Sequence, residues 1–314
     1  MKVIVAENCG FCPGVRNAIS IAEKILRMES IRGRGQVYSL GPIIHNKDVV
    51  QQLAKKGLKT VNSVEEIQPS DPTTSTGRHK VRRGTVLIRS HGAPPEQIAK
   101  IKKKKLKIVD ATCVLVKKVQ KIAKRLSNAG YMVVVIGNEN HPEVQAVVGC
   151  AENVIVVADE SDLSRLFEGR DLHKLPKNGK LGIVCQTTQS PEYFGKMLDA
   201  IARIGFTCGR ASELKVVNTL CKEAIKRQNS AVALCKQVDV MFVLGGLESA
   251  NTCKLAEICK KYNNQTFHLQ NWNEFDKNML FGKNIVGVTA GASTPDWIIT
   301  EFVRNLKAFD TGKS

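Results

Sequence analysis

Three cysteines recur in one local context along this chain of 314 residues. Cys12 follows the apolar run at residues 3–5 and a short polar turn, and a helical pattern begins directly after it. The same order of strand, cysteine and helix returns around Cys113 and Cys221, at near-equal intervals. One such corner is within chance, but three at this spacing indicate a triplicated module in which each copy supplies one thiolate.

Three thiolates can hold a metal centre, yet they fill only three coordination positions. A tetrahedral structural zinc takes four ligands, and a [4Fe–4S] cluster usually takes four cysteines. With three cysteines, one iron stays open and can bind a substrate oxygen as a Lewis acid. The alternative, that these cysteines are small buried hydrophobic residues, is disfavoured by their repetition at one structural position.

Other cysteines do not recur at equivalent places, and we interpret them as packing or incidental thiols: Cys9, Cys150, Cys185, Cys208, Cys235, Cys253 and Cys259. Cys9 does form a CxxC pair with Cys12, which leaves a redox dithiol or half of a zinc site open. A single CxxC without a second pair is a weak signal, and the repeat selects Cys12.

Polar side chains recur in the other strand-end loops of each module. The second loop reads Gly-x-x-x-His or Gly-x-x-x-Ser, and the third carries His, Thr or Ser. In chain order these residues are His45, His91, His141, Thr187, Thr188, Ser249 and Ser293. Where such a residue caps a helix, as His141 does before Pro142, the free N–H groups and the positive dipole end suit a phosphate or diphosphate. A lone cap is usually only a cap, but caps at matching positions favour anion binding.

Glu143 differs from these residues because a carboxylate opposes the field of a bound phosphate. The helix dipole stabilises its ionised form, whereas a neighbouring diphosphate favours the protonated form. A protonated carboxyl beside an anion site has the profile of a general acid. Its position fits equally well a first-turn glutamate that only stabilises its helix, and position alone leaves both interpretations open.

The elements that must position these residues form a repeating strand–helix pattern. The strands are mostly continuous Val/Ile runs, which is typical of buried parallel strands joined by right-handed β-α-β crossovers. The sequence therefore predicts an α/β fold of three pseudo-symmetric modules with mostly parallel sheets, at residues 1–106, 107–214 and 215–314. Ligands bind beyond the carboxyl ends of parallel strands, where all these loops lie. Three modules around a pseudo-threefold axis would aim the loops at one central cavity.

Composition describes a globular chain with 43% hydrophobic and 24% charged residues. The N-terminal apolar run is too short for a signal peptide, and no run approaches the ~18 residues of a membrane span. We therefore expect a soluble cytoplasmic protein whose ten cysteines are thiols or metal ligands rather than disulfides. The turn-rich stretch at residues 69–80 is predicted to be an exposed loop.

The formal net charge of the chain is +18. This charge fits a solvated basic face, and it also fits attraction to an acidic protein, an anionic substrate or nucleic acid. The two tryptophans and four tyrosines are too few to favour a stacking platform for single-stranded nucleic acid. The net charge alone therefore does not select among these interpretations.

The residues described so far belong to a series of motifs spread over nearly the whole chain. In order these are Gly10-Phe-Cys12-x-Gly14-Val15, Gly41-x-x-x-His45-Asn46, Arg89-Ser90-His91-Gly92, Asp110-Ala-Thr-Cys113, His141-Pro-Glu143-Val144, Gln186-Thr187-Thr188, Asn218-Thr-x-Cys221, Ser249-x-Asn251 and Thr289-Ala-Gly-Ala-Ser293. The series closely resembles the 4-hydroxy-3-methylbut-2-enyl diphosphate reductase family. The resemblance covers residues 2–297, with the motifs in the family's order.

The resemblance implies a trefoil of three α/β modules around a central cavity. That cavity would hold an oxygen-sensitive [4Fe–4S] cluster on Cys12, Cys113 and Cys221, with one open iron that binds the allylic hydroxyl of (E)-4-hydroxy-3-methylbut-2-enyl diphosphate. It further implies that the diphosphate of this substrate is held by His45, His91, His141, Ser249, Asn251 and Ser293. Glu143 would deliver protons, with Thr187 in its hydrogen-bond network at the substrate.

The implied reaction uses two electrons and two protons to expel water and give isopentenyl and dimethylallyl diphosphates, the last step of the non-mevalonate isoprenoid pathway. The electrons would come from a reduced ferredoxin or flavodoxin. Such carriers are typically acidic, which gives the +18 charge a steering role. Neither nucleic acid nor a membrane is an expected partner.

The sequence departs from the family where Ala250 stands at a position that often holds a second serine. One phosphate donor is then missing, at a cost of at most ~1.5–3 kcal/mol unless water substitutes.

Two other functions compete with the reductase. A hydratase–dehydratase would use the open iron only as a Lewis acid and need no reductant. A basic nucleic-acid-binding protein, with Cys9 and Cys12 helping to hold structural zinc, predicts salt-sensitive binding but leaves the repeated His and Ser caps unexplained.

Overall fold

The structure is a computed structural model that describes residues 1–32, 35–67, 84–167, 169, 173 and 175–311. The exposed loop predicted at residues 69–80 lies outside these residues. Among the described helices, none combines the length and the apolar composition needed to cross a membrane.

Strands and helices alternate along the described chain. The strands are β1 (Lys2–Val5), β2 (Val37–Leu40), β3 (Leu58–Val61), β4 (Thr85–Ile88), β5 (Lys107–Asp110), β6 (Met132–Ile136), β7 (Val154–Val157), β8 (Lys180–Cys185), β9 (Glu213–Val216), β10 (Val240–Leu244), β11 (Thr266–Leu269) and β12 (Ile285–Ala290). The helices are α1 (Pro13–Arg32), α2 (Lys47–Lys55), α3 (Pro95–Lys103), α4 (Val114–Asn128), α5 (Pro142–Val148), α6 (Glu160–Phe167), α7 (Pro191–Thr207), α8 (Lys222–Cys235), α9 (Ala250–Tyr262) and α10 (Asp296–Thr311). Two short 3₁₀ turns lie at Trp272–Glu274 and Lys277–Leu280.

Within the described residues the strands form three four-stranded sheets, ordered β3-β2-β4-β5, β7-β6-β8-β9 and β1-β12-β10-β11. Every strand pair in them is parallel. The predicted α/β class with parallel sheets is therefore confirmed. The central strands β6 and β10 are buried along their whole length, because the crossover helices cover both faces of a parallel sheet.

The strands that lead to Cys113 and Cys221 each pair with the sheet formed by the preceding part of the chain. β5, before Cys113, pairs with β4, and β9, before Cys221, pairs with β8. β1, before Cys12, pairs instead with β12 near the C-terminus, with Val3 beside Val286. The predicted boundaries at 106/107 and 214/215 thus separate β5 and β9 from the sheets in which they pair.

The chain divides into two compact units. The first comprises Met1–Arg16, Ile44–Gln51 and Cys221–Ser314, and it contains the sheet β1-β12-β10-β11. Alternate residues of β10 pack on opposite faces of this sheet. Phe242 packs in the cluster of Phe302 in α10, whereas Met241 packs in the cluster of Leu255 in α9. This alternation is the period-2 pattern of a strand that is buried on both sides.

The second unit comprises Asn17–Ile43 and Gln52–Leu220, and it contains the other two sheets. Along β6, Val134 and Ile136 pack in one core cluster with residues of α6 and α7. Val133 and Val135 pack in another with residues of α4 and α5. Both faces of β6 are therefore covered, and its carboxyl end opens into the loop that carries His141.

Candidate functional site

All three repeated cysteines lie at the start of a helix. Cys113 is the N-cap residue of α4 and Cys221 that of α8, and Cys12 directly precedes Pro13, the first residue of α1. Each of the three side chains is half-buried. Helix N-termini stabilise anions, so each position suits a metal-ligating thiolate. The structural equivalence of Cys12, Cys113 and Cys221 matches the triplication read from the sequence.

Two of these cysteines are tied by their backbone to a loop that carries a predicted substrate ligand. In the second unit, the N–H of Cys113 donates to the carbonyl oxygen of Ser90 at 3.0 Å, next to His91. In the first unit, the N–H of Cys12 donates to the carbonyl oxygen of Ala292 at 3.2 Å, next to Ser293. The same backbone bond therefore occurs once in each unit, and it places a thiol beside a polar loop in each.

The turn before each cysteine explains the CxxC pair. Asp110 accepts a hydrogen bond from the N–H of Thr112 at 2.9 Å, and Asn218 accepts one from the N–H of Leu220 at 3.0 Å. Each of these side chains stands three residues before its cysteine and closes an Asx turn. Cys9 occupies the same position before Cys12, packs against the apolar core of the first unit and has its pKa raised by burial. This geometry supports the interpretation of Cys9 as a packing thiol.

Arg227 lies beside the thiols of the first unit, and the sequence did not single it out. It is only 5% exposed on the second turn of α8, and its Nη2 donates to the carbonyl oxygen of Gly10 at 2.6 Å. Its charge interacts with Cys12, Cys9 and Cys221. The signal was present in the helix pattern, because Arg227 falls in register with Ala224 and Ala231 on the buried face.

Glu143 is a buried carboxyl group held at both oxygens by one residue. It is 2% exposed at the start of α5. The N–H of Thr187 donates to Oε1 at 2.7 Å, and Oγ1 of Thr187 donates to Oε2 at 2.9 Å. Burial raises the pKa of Glu143 above its ordinary value, while the two bonds from Thr187 oppose that shift. The structure thus brings together the two residues that were predicted to handle the proton.

His141 caps the same helix, and the hydrogen bond that its ring accepts defines which nitrogen carries the hydrogen of the neutral form. The N–H of Glu143 donates to Nδ1 of His141 at 3.2 Å, so the neutral ring carries its hydrogen on Nε2. The ring of His91 stands edge-on to that of His141, with centroids 5.3 Å apart. The turn after His91 needs Gly92, because the φ of this residue is +81° and a Cβ added there would lie 2.7 Å from Nε2 of Gln120. Two imidazole donors therefore converge in the second unit.

The first unit gathers the other predicted polar residues. Oγ of Ser293 lies 3.2 Å both from Oγ of Ser249 and from the carbonyl oxygen of His45. Oδ1 of Asn251 accepts from the N–H of Ala292 at 3.0 Å. Ser249 is the N-cap of α9 and accepts from the N–H of Thr252 at 3.4 Å. These contacts hold hydroxyl and amide groups at a helix start, which is the arrangement that binds anions.

Gly246 permits this gathering because a side chain there would strike the backbone. A Cβ at Gly246 would lie 2.7 Å from the carbonyl oxygen of His45, which also accepts the Ser293 hydroxyl. In the second unit, Gln186 instead uses its side chain to fix a loop, because its Oε1 accepts from the N–H of Asn138 at 3.1 Å. The sequence showed both residues only as parts of loop motifs, since their contacts are long-range.

Comparison with known proteins gives relatives along the whole chain. A family model described as LytB protein matches residues 3–307. A protein of Geobacter sulfurreducens named 4-hydroxy-3-methylbut-2-enyl diphosphate reductase is 38% identical over 313 residues, which cover 100% of this chain and 99% of that relative. A protein of the same name from Syntrophotalea carbinolica is 40% identical over 308 residues, with 98% of each chain covered.

Two solved structures share this architecture. One, of (E)-4-hydroxy-3-methyl-but-2-enyl diphosphate reductase, described as the terminal enzyme of the non-mevalonate pathway, is 37% identical with a TM-score of 0.65 and covers 98% of this chain and 100% of its own. The other, of the E-1-hydroxy-2-methyl-but-2-enyl-4-diphosphate reductase from Plasmodium falciparum, is 25% identical with a TM-score of 0.83 and covers 97% of this chain and 87% of its own.

Proposed function

The chain belongs to the LytB protein family, and from that premise we propose that it reduces (E)-4-hydroxy-3-methylbut-2-enyl diphosphate in the terminal step of the non-mevalonate pathway. In the balanced reaction one substrate molecule takes up two electrons and two protons, loses its allylic hydroxyl as water, and becomes isopentenyl or dimethylallyl diphosphate. Full-length relatives at 38% and 40% identity support this activity.

We propose that Cys12, Cys113 and Cys221 hold a [4Fe–4S] cluster. Their donor set fits this group, because each is a half-buried thiol at a helix start. In the first unit, the buried Arg227 supplies a positive charge close to two of these sulfur atoms. When bound, such a cluster supplies single electrons and one iron without a cysteine ligand, which acts as a Lewis acid.

The diphosphate of the substrate is bound by neutral donors in this proposal. His91 and His141 offer imidazole N–H groups in the second unit. The first unit contributes His45, Ser249, Asn251 and Ser293. Donors at helix starts bind phosphate oxygens without the compact charge of lysine.

Glu143 serves as the proton donor in this proposal. Burial favours its protonated form, and the N–H of Thr187 occupies Oε1 as an acceptor. The carboxyl hydrogen is therefore carried on Oε2, where Oγ1 of Thr187 can either donate or accept. Such a group delivers a proton to the departing hydroxyl or to the allylic carbon frame as a general acid.

The observation that carries the proposal is the placement of three cysteines at equivalent helix starts, two of them tied to a polar loop by the same backbone bond. Its test is anaerobic purification, followed by measurement of iron, acid-labile sulfide and zinc per chain, and of the absorption spectrum before and after dithionite and substrate. Iron and sulfide in near-equal amounts, a spectral change with the diphosphate and formation of both isomeric products are expected. Bound zinc without acid-labile sulfide would contradict the proposal.

A hydratase–dehydratase is the second candidate, because an open iron and a general acid would suffice for it. The two functions differ in their need for electrons. Turnover that requires a reductant and stops without one supports the reductase. Turnover that proceeds equally well without a reductant would favour the hydratase.

We further propose that a reduced ferredoxin or flavodoxin delivers the electrons. The net charge of +18 would steer an acidic carrier toward the chain. The rate of reduction by such a carrier should fall steeply with ionic strength, whereas the rate with dithionite should change much less.

A further inference from the structure

Arg227 is a buried cation that the proposed reaction does not use. It lies on the face of α8 that packs into the core of the first unit, between the small residues Ala224 and Ala231. Only 5% of Arg227 is exposed. A guanidinium at such a position is costly unless anions or hydrogen-bond acceptors compensate it. The groups around Arg227 therefore indicate which anion or acceptor compensates its charge.

The hydrogen bonds of Arg227 are incomplete within the described residues. Its Nη2 donates to the carbonyl oxygen of Gly10 at 2.6 Å. Its Nε and Nη1 are buried, and no hydrogen-bond partner for them is found in the described part of the chain. Glu223, the acidic residue one turn earlier on α8, forms its ion pair with Lys226 at 3.2 Å. Two buried donor nitrogens, which together carry three N–H groups, thus remain available.

Three of the ionisable groups that interact with the charge of Arg227 are thiols. These are Cys12, Cys9 and Cys221, and the fourth group is the carboxylate of Glu223. Burial lowers the pKa of Arg227 and these thiols oppose that shift. Two of the three thiols, Cys12 and Cys221, are proposed cluster ligands, and Gly10, which anchors Nη2, is two residues from Cys12.

We infer that Arg227 is the fixed counter-charge of the cysteine-bound cluster and that it raises the cluster's reduction potential through its charge and its available N–H donors. This role rests on the proposed function, because it presupposes a cluster on Cys12 and Cys221. A three-cysteine cluster is anionic, and one more electron adds a further negative charge. A buried cation stabilises the more negative state, and net charge and hydrogen bonds to sulfur set the potential of such clusters.

The electron step balances without any change in Arg227. A low-potential one-electron carrier, an iron–sulfur or flavin protein, is oxidised by one electron, and the cluster is reduced by one electron. Arg227 keeps its proton, and no bond to it forms or breaks. Arg227 is accordingly a positioning residue that acts through the cluster, and the reduction potential is the property that reports on it.

The test compares Arg227→Gln with Lys226→Gln in chains loaded with cluster under anaerobic conditions. Both substitutions remove one positive charge from the same helix, but Lys226 is exposed. The midpoint potential is measured by a dye-mediated titration followed by electron paramagnetic resonance. In Arg227→Gln the ratio of reduced to oxidised cluster at a fixed potential should fall at least tenfold, a shift of ~59 mV to more negative values for a one-electron couple. Lys226→Gln should keep the wild-type midpoint.

The iron and sulfide contents of each chain distinguish a failure of the proposed function from a failure of the role inferred for Arg227. A wild-type chain that holds no iron and sulfide overturns the proposed function itself. A wild-type cluster with an unchanged midpoint in Arg227→Gln, or an equal shift in Lys226→Gln, overturns the role of Arg227 alone. If Arg227→Gln loses the cluster, the iron and sulfide content of Arg227→Lys decides whether a positive charge is required at this position. Cluster retention in Arg227→Lys supports a need for positive charge, and loss there as well contradicts it, because a charge effect must survive exchange for another cation.

Discussion

Thr187 fixes both oxygens of the Glu143 carboxyl group, with its N–H on Oε1 at 2.7 Å and its Oγ1 at 2.9 Å from Oε2. The two residues are 44 positions apart. Glu143 lies in the first turn of α5, which follows β6, and Thr187 follows β8, so the contact joins the segments after two strands of one sheet. The carboxyl group therefore has a single orientation, and its hydrogen in the protonated form stands on the oxygen that faces the threonine hydroxyl.

The first prediction concerns Glu143→Gln. The amide keeps the shape of the side chain and can still accept the N–H of Thr187, but it has no proton to give. We expect the cluster and substrate binding to be retained while kcat falls by about 10²–10⁴-fold, the usual contribution of a general acid. Single-turnover product formation, together with substrate binding followed by the absorption spectrum, checks this.

Glu139→Gln is the matched control, because Glu139 is exposed in the same loop before α5. It should turn over at the wild-type rate. Near-normal turnover of Glu143→Gln would remove Glu143 as the acid and leave it the role of a helix-start residue.

The second prediction concerns the pH dependence that Thr187 imposes. The hydroxyl hydrogen bond lowers the pKa of Glu143 against the raising effect of burial. Thr187→Val removes that bond while keeping the side-chain shape, so the pKa of Glu143 should rise further. A general acid is active below its pKa, and the limb of the kcat profile that falls with increasing pH should therefore move to higher pH. Thr187→Ser, which keeps a hydroxyl, should leave the limb near its wild-type position.

The profile is recorded as kcat against pH for all three forms. A limb that moves to lower pH in Thr187→Val, or one that moves equally in Thr187→Ser, would contradict the role assigned to the hydroxyl.

Local pattern was sufficient to predict the cysteine positions. Cys12, Cys113 and Cys221 each stand where an apolar strand ends and an amphipathic helix begins, and proline at the first helical position marks the start of α1. Such boundaries depend on residues within a few positions of one another. The parallel sheets also followed from local pattern, because continuous Val/Ile runs between helices have few other ways to be buried.

Contacts between distant residues could not be predicted in this way. Nothing in Lys2–Val5 indicates that its partner is β12, since any buried parallel strand of similar length would match its pattern. Arg227 was passed over because a basic residue in an amphipathic helix is usually exposed. Its register with Ala224 and Ala231 was the available signal, and only the packed structure shows the thiols that it faces.

The third prediction tests the cysteine assignment with a substitution at Cys113 and control substitutions at two other cysteines. Cys113→Ser should reduce bound iron and sulfide to background, because a serine hydroxyl is a poor replacement for a thiolate ligand. Cys253→Ser should retain both, since Cys253 is exposed on α9 and a hydroxyl can keep its hydrogen bond to the carbonyl oxygen of Leu247. Cys235→Ala, in the apolar core, should likewise retain the cluster. The reverse pattern of iron and sulfide contents would overturn the assignment.

The last prediction concerns Gly246, whose missing side chain leaves room for the backbone of His45. A Cβ at Gly246 would stand 2.7 Å from the carbonyl oxygen of His45, closer than such contacts allow. In Gly246→Ala that backbone must move, and Ser293, which donates to the same oxygen, must move with it. We expect KM for the diphosphate substrate to rise about tenfold with a smaller change in kcat, because mispositioned binding groups weaken substrate and transition state alike.

Overpacking of this kind also destabilises a fold by about 1–3 kcal/mol, so thermal unfolding of Gly246→Ala should occur at a lower temperature. Gly195→Ala is the matched control, because Gly195 lies in α7 and, among the described residues, no atom beyond its own helix backbone and chain neighbours lies within 4 Å of the added Cβ. There alanine should stabilise the helix by about 0.5–1 kcal/mol and leave KM unchanged. A KM that stays at the wild-type value in Gly246→Ala would show that the His45 and Ser293 groups do not depend on this close approach.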